Sequence, residues 1–101
     1  MQEPWKTDKW YTSLWCHLPE VRKDLRFVNN IKIHDVTLRD GEQQTAVVFR
    51  REEKVAIAKT LDAMGVHRIE AGMPAVSDQD KAAIVDIANL GLKADIFAFS
   101  R

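Results

Sequence analysis

One cysteine, Cys16, in 101 residues leaves no partner for an internal disulfide, so any core must hold without a covalent staple. That economy fits a reducing compartment, and the cytoplasm is the expected location. Charge of one sign is missing too. Fifteen basic and fifteen acidic residues cancel, which removes the net field that would draw nucleic acid or an anionic membrane. No uninterrupted apolar run is long enough to cross a bilayer, and the charged, aromatic N-terminus lacks the apolar centre of a signal peptide. Neither nucleic acid nor a membrane is an expected partner. Low-complexity tracts are absent, and no repeat exists beyond an alternation of strand and helix patterns. The 46% apolar content that remains is ample for a core.

The stretch from 31 to 43 organises the chain. It runs Ile-Lys-Ile-His-Asp-Val-Thr-Leu-Arg-Asp-Gly-Glu-Gln, a β-branched segment ending in charge and a glycine. Read as a strand, it places Ile31, Ile33, Asp35, Thr37 and Arg39 on one face and Lys32, His34, Val36, Leu38 and Asp40 on the other. Apolar groups fall on both faces, as expected of a strand covered on each side in a parallel sheet. Its polar residues gather at the carboxyl end, where parallel α/β folds bind ligands.

Residues 52 to 64 then carry apolar side chains at 55, 57, 58, 61 and 64, a helical period, and Gly65 stands where a left-handed residue ends a helix. The segment 67 to 71 reads as a second strand. Ser77 to Asp80 offers an N-cap with an acidic variant of the capping box, and Ile84, Ile87, Ala88 and Leu90 supply the next apolar face before Gly91. Ala94 to Phe99 is again strand-like. The order is β-α-β-α-β, whose right-handed crossovers give a parallel sheet.

Leu38-Arg39-Asp40-Gly41-Glu42-Gln43, with Lys54 following after ten residues, resembles the first-strand signature of a TIM-barrel family of metal-dependent acyl-CoA condensing enzymes and lyases. This is the hydroxymethylglutaryl-CoA lyase-like, or pyruvate carboxyltransferase, family, with isopropylmalate, homocitrate and citramalate synthases among its members. Ile69-Glu70-Ala71-Gly72-Met73-Pro74-Ala75 resembles the synthase branch more than the lyase branch. The likeness covers 31 to 101 and implies the β-α-β-α-β opening of a (β/α)8 barrel. A barrel needs about 250 residues. The expectation is therefore an incomplete barrel in this chain, with the sheet edges left open.

The resemblance also implies an activity, the condensation of acetyl-CoA or a close acyl-CoA with a 2-oxo acid. A hydroxyacyl-CoA lyase, or a barrel fragment that is not itself catalytic, remains the alternative. The divalent metal, Mg²⁺, Mn²⁺ or Zn²⁺, would take Asp40 as one ligand, because hard cations favour carboxylate oxygen. Its histidine pair from a late strand has no counterpart, since no His-x-His occurs; His17, His34 and His67 are read as structural. Arg39 would bind the keto oxygen, a permanently charged fork suited to a developing oxyanion. Gln43 would contact substrate or metal surroundings. Glu70, thirty positions after Asp40, would share the catalytic site with Arg39 by orienting it. A homo-oligomer, a dimer, is expected of the full-length enzyme.

Other positions have plainer readings. Gly41 is expected to need a positive φ or a close backbone approach. Glu42 supports the loop, and Lys54 is by default a solvated lysine one turn into its helix. Arg101 reads equally as a basic site residue or an ordinary surface arginine. Phe49-Arg50-Arg51 lacks a Ser or Thr cap before the helix, a deficit of about 1 kcal/mol, partly offset by Glu52 and Glu53 near the positive end of the helix dipole.

Residues 1 to 30 differ in character. Trp5, Trp10, Tyr11 and Trp15 interleave with Lys6, Lys9, Arg22, Lys23 and Arg26, a mixture that single-stranded nucleic acid can use. Glu3, Asp8, Glu20 and Asp24 dilute the charge. An N-terminal extension whose rings pack on the barrel or a neighbouring subunit is the better reading. Pro19 should open a short helical turn over 20 to 25, and Asn29-Asn30 should link the extension to the first strand.

Overall fold

A computed structural model describes residues 6–101. Trp5 and Glu3, both counted in the reading of the extension, lie outside the described residues. The chain divides into two compact units, 1–30 and 31–101.

In the first unit, Thr7 organises a tight turn: its Oγ1 accepts the backbone N–H groups of Lys9 and Trp10, both at 3.1 Å. A 3-10 turn, Leu14–His17, precedes α1, Pro19–Arg22, with the proline at the first helical position as expected. The helix is one turn long, shorter than the 20 to 25 expected. Neither element buries a residue, and Trp10, Tyr11 and Trp15 are exposed.

The second unit contains β1 (His34–Asp35), α2 (Arg51–Ala63), β2 (Arg68–Glu70), α3 (Asp78–Ala88) and β3 (Asp95–Phe97). The strands pair in parallel in the order β1-β2-β3, with Asp35 beside Ile69, Ile69 beside Ile96, and Glu70 beside Phe97. Their apolar residues meet the helices in one core of Leu38, Ala58, Leu61, Ile69, Ala71, Ile87 and Ala94. Gly65 takes φ 89°, the left-handed end of α2 that its position foretold. Ser77 caps α3 through Oγ, which accepts the Asp80 N–H at 3.1 Å.

The first strand is much shorter than the run from 31 suggested, and the alternation of faces stops at Val36. Asp35 is the cause. Its carboxylate accepts the Thr37 N–H at 2.9 Å and the Thr37 hydroxyl at 3.1 Å, a local bond that turns the chain. The N–H groups of Arg39, Asp40 and Gly41 then converge on the Val36 carbonyl at 3.2, 2.8 and 3.1 Å. A 3-10 turn over Gly41–Gln43 follows. Ile31 and Ile33, expected to be covered on the strand, are largely exposed.

Three further expectations are corrected. Gly41 has no positive φ, and a Cβ there would meet Thr37 at an ordinary 3.7 Å, so neither reason for a glycine applies. The start of α2 is capped after all: Glu53 reaches back to the Arg50 N–H at 2.7 Å, the acidic half of a capping box, and also binds the Arg50 guanidinium. Lys54 is buried rather than solvated, at 3% exposure. It falls on the inward stripe of α2 with Ala58 and Leu61, at i, i+4 and i+7.

Candidate functional site

The carboxyl ends of the three strands converge on Arg39. The turn after β1 presents it, the last residue of β2 meets it, and the chain leaving β3 stacks beneath it. Glu70 Oε1 accepts a hydrogen bond from Arg39 Nε at 2.5 Å, and the Arg39 guanidinium lies 4.9 Å from the Phe99 ring centroid. Phe99 is held there by its N–H on the Gly72 carbonyl at 2.8 Å, which continues the β2-β3 pairing past the strand ends. Gly72 itself has φ 143°, a conformation that side chains resist.

Glu70 is buried, and both of its oxygens are used. His34 Nε2 donates to Oε2 at 2.9 Å. The hydrogen bond from His34 and the one from Arg39, with its charge, hold the Glu70 carboxyl below its ordinary value against the burial that would raise it. Asp40 lies beside Arg39, with Oδ1 3.4 Å from Nη1, and its side chain is 59% exposed. Arg39, Asp40 and Glu70 are thus brought together as the sequence suggested. Gln43 is not bonded to them; it is exposed on a neighbouring groove of about 280 Å³, lined with Arg39, Leu38, Val47, Met73 and Val76.

Three residues have roles beyond those the sequence suggests. His34 supports Glu70, a role beyond the structural one its sequence context implies. Phe99 carried no motif signal. Lys54 sits between Glu42 Oε2, at 2.8 Å, and Asp80 Oδ1, with Ser77 Oγ donating to the other Asp80 oxygen at 2.6 Å. Burial opposes the charge on Lys54, but the hydrogen bonds it donates to Asp80 and Glu42 outweigh it and raise the pKa. Glu42 also accepts the Phe49 N–H at 3.2 Å, so it supports the loop as expected. This cluster fixes the 3-10 turn carrying Gln43 to α2 and α3.

The donor set suits a divalent cation only in part. Asp40 offers an exposed carboxylate whose one protein contact is long, which suits a hard cation. His34 Nε2 is committed to Glu70, and His67 Nδ1 accepts the Ile33 N–H at 3.0 Å. Among the described residues no three His, Cys, Asp or Glu side chains cluster as a metal site. Asp40 can serve as one ligand and no more.

A family model described as HMGL-like matches residues 30–101. The chain belongs to the HMGL-like family. It is 54% identical over 74 residues to homocitrate synthase 1 of Nostoc sp., a match covering 73% of this chain and 20% of that protein. Homocitrate synthase AksA of Methanothermobacter thermautotrophicus is 49% identical over 78 residues, 77% of this chain and 20% of the relative. 2-Isopropylmalate synthase 2 of Caldanaerobacter subterraneus is 46% identical over 71 residues, 70% and 18% respectively. The chain spans about a fifth of the length of these HMGL-like relatives. Its parallel sheet is an open portion of the family's TIM barrel, not a closed one. No helix among the described residues is long and apolar enough to cross a membrane.

The depressed Glu70 carboxyl has a measurable consequence. A carboxyl whose folded pKa lies below its unfolded value, ordinarily 4.5, stabilises the fold above that value and loses its contribution as pH falls through the folded pKa. In an HMGL-like barrel carrying this segment, Tm should therefore fall in acid below about pH 4.5, and Glu70→Gln should flatten part of that fall. Tm followed from pH 6 to pH 3 checks this. Parallel curves for the two proteins would contradict it.

Proposed function

We propose that the complete enzyme to which this segment belongs catalyses a Claisen-type condensation, joining acetyl-CoA or a close acyl-CoA to a 2-oxo acid. Thioester hydrolysis would release a 2-hydroxy di- or tricarboxylic acid and free CoA. The observation that carries this reading is the Arg39–Glu70 pair beside Asp40 at the carboxyl end of the sheet. The likeness to proteins named homocitrate and isopropylmalate synthases supports it.

In this reading Arg39 binds the keto oxygen of the 2-oxo acid. Its guanidinium stays charged throughout and shares the negative charge that builds as the carbonyl is attacked. Glu70 holds the Nε edge so that the remaining donors are not free to swing. Gln43, on the adjoining groove, hydrogen-bonds the substrate. Asp40 would hold a divalent cation, Mg²⁺, Mn²⁺ or Zn²⁺, together with ligands from other strands, and that cation would supply Lewis acidity toward the 2-oxo acid. We further propose a homo-oligomeric, dimeric enzyme working in the cytoplasm.

The test is release of free CoA by the complete enzyme from acetyl-CoA with pyruvate, 2-oxoisovalerate or 2-oxoglutarate in turn. One of these should support turnover. If none does, and the corresponding hydroxyacyl-CoA is cleaved instead, the condensation reading fails and the lyase takes its place. Asp40→Ala should weaken divalent-cation binding by at least tenfold in a calorimetric titration, because neutral ligands alone hold a hard cation poorly. Unchanged affinity would remove Asp40 from the metal.

A further inference from the structure

We propose that His34 is a positioning residue for Arg39, acting through Glu70. The inference rests on the reading that Arg39 contacts the reacting oxygen, and it adds a residue which that reading does not contain.

The geometry begins with strand register. His34 on β1 pairs with Arg68 on β2, so Glu70, two residues on, is its diagonal neighbour across the sheet and within reach of a long side chain. The contact is made: His34 Nε2 donates to Glu70 Oε2 at 2.9 Å while Arg39 Nε donates to Oε1 at 2.5 Å. The terminal torsion of a glutamate is broad, so a carboxylate anchored through one oxygen swivels easily. A second anchor on the opposite oxygen, from β1 itself rather than the turn that follows it, fixes the plane that Arg39 meets.

His34 is itself held. Its ring meets Phe97 edge-on, with centroids 5.8 Å apart, and Phe97 is the register partner of Glu70 on β3. Arg68 covers Phe97 with its guanidinium 5.4 Å from the ring centroid. Three strands thus build one assembly whose output is the orientation of Arg39. A buried salt bridge would need only Arg39 and Glu70; the histidine adds direction to the carboxylate, and outer groups of this kind carry weight in the sites they orient.

The experiment uses the complete enzyme with His34→Leu and His34→Gln, each in the Glu70 and Glu70→Ala backgrounds, and with Arg39→Lys alongside. His34→Leu should lower kcat roughly tenfold or more while KM for the 2-oxo acid moves less. His34→Gln, whose side-chain amide can donate to the same oxygen, should recover most of that loss. In the Glu70→Ala background His34→Leu should have no further effect, since the carboxylate it orients is gone. If His34→Leu does not fold, His34→Ser, too short to reach Oε2, replaces it with the same expectation. Unchanged kcat in His34→Leu, or an equal drop in both backgrounds, would overturn the proposal. An unimpaired Arg39→Lys would instead overturn the role of Arg39 itself, and with it both readings; an impaired Arg39→Lys beside an unimpaired His34→Leu would overturn this one alone.

Discussion

Lys54→Met is expected to destabilise the complete enzyme by about 3 kcal/mol, the lower end of the 3–5 kcal/mol typical when one partner of a buried ion pair is removed. The lysine is 3% exposed and bridges Glu42 and Asp80, so its loss leaves two carboxylates facing each other without a cation. Each carboxylate keeps about a fifth of its side chain in contact with water, which is why the upper end is not expected. The pH window follows from the directions of the shifts. Lys54 is raised above 10.5, so its contribution is complete below that value and is lost as pH rises through the folded pKa. Asp80 is held below 3.8: burial opposes the shift, and the hydrogen bonds from Lys54 and Ser77 produce it. Its contribution is present above 3.8 and is lost as pH falls through the folded value. The penalty should therefore be level across neutral pH and shrink in strong acid. Denaturation midpoints of wild type, Lys54→Met and the neutral triple variant Lys54→Met, Glu42→Gln, Asp80→Asn would measure it. The triple variant should regain much of the loss, since replacing a whole buried ionic group is far less costly than breaking it. A loss under about 1 kcal/mol for Lys54→Met would restore the solvated lysine that the sequence suggested.

That lysine marks the boundary of what the sequence disclosed. Its position on the inward stripe of α2 was readable, because 54, 58 and 61 keep the helical period. The residue type argued the other way, and the partners that make burial tolerable come from twelve residues before and twenty-six after. Local pattern carries no such long-range pairing. The parallel β-α-β-α-β order, the cap at Ser77 and the turn at Gly65 were legible because each depends on neighbours in the chain. The end of β1 was legible in principle as well: Asp35 and Thr37 form a turn whose signal is an aspartate two residues before a hydroxyl, but the β-branched run around it outweighed that signal. At the start of α2 no Ser or Thr stands directly before the helix, and Glu53 supplies the bond from inside it. For the candidate site, Arg39, Asp40 and Glu70 emerged from motif resemblance. His34 and Phe99 did not, since their roles exist only once the strands are in register.

Arg39→Lys is the substitution expected to affect turnover most. Lysine keeps the positive charge but replaces a planar fork with a compact ammonium on a flexible stem. At this site the fork has two separable duties. Nε bonds Glu70 at 2.5 Å and the guanidinium plane rests on Phe99, which together fix the group; the remaining N–H donors are what a keto oxygen would meet. An ammonium drawn to Glu70 could satisfy that carboxylate but would offer no second, oriented edge to the substrate. Removal of one preorganised oxyanion contact costs about 3 kcal/mol, so kcat should fall by roughly 10²-fold or more. Binding of the divalent cation should change little, because the Asp40 carboxylate touches Arg39 only at 3.4 Å and is otherwise exposed. Glu70→Gln should give a milder defect of the same kind, loosening the guanidinium without removing its charge. Steady-state kinetics paired with metal titration separates these outcomes. Loss of metal affinity with near-normal kcat in Arg39→Lys would show that the arginine organises the strand end rather than the reacting oxygen, and the condensation chemistry would then need a different group to bear its charge.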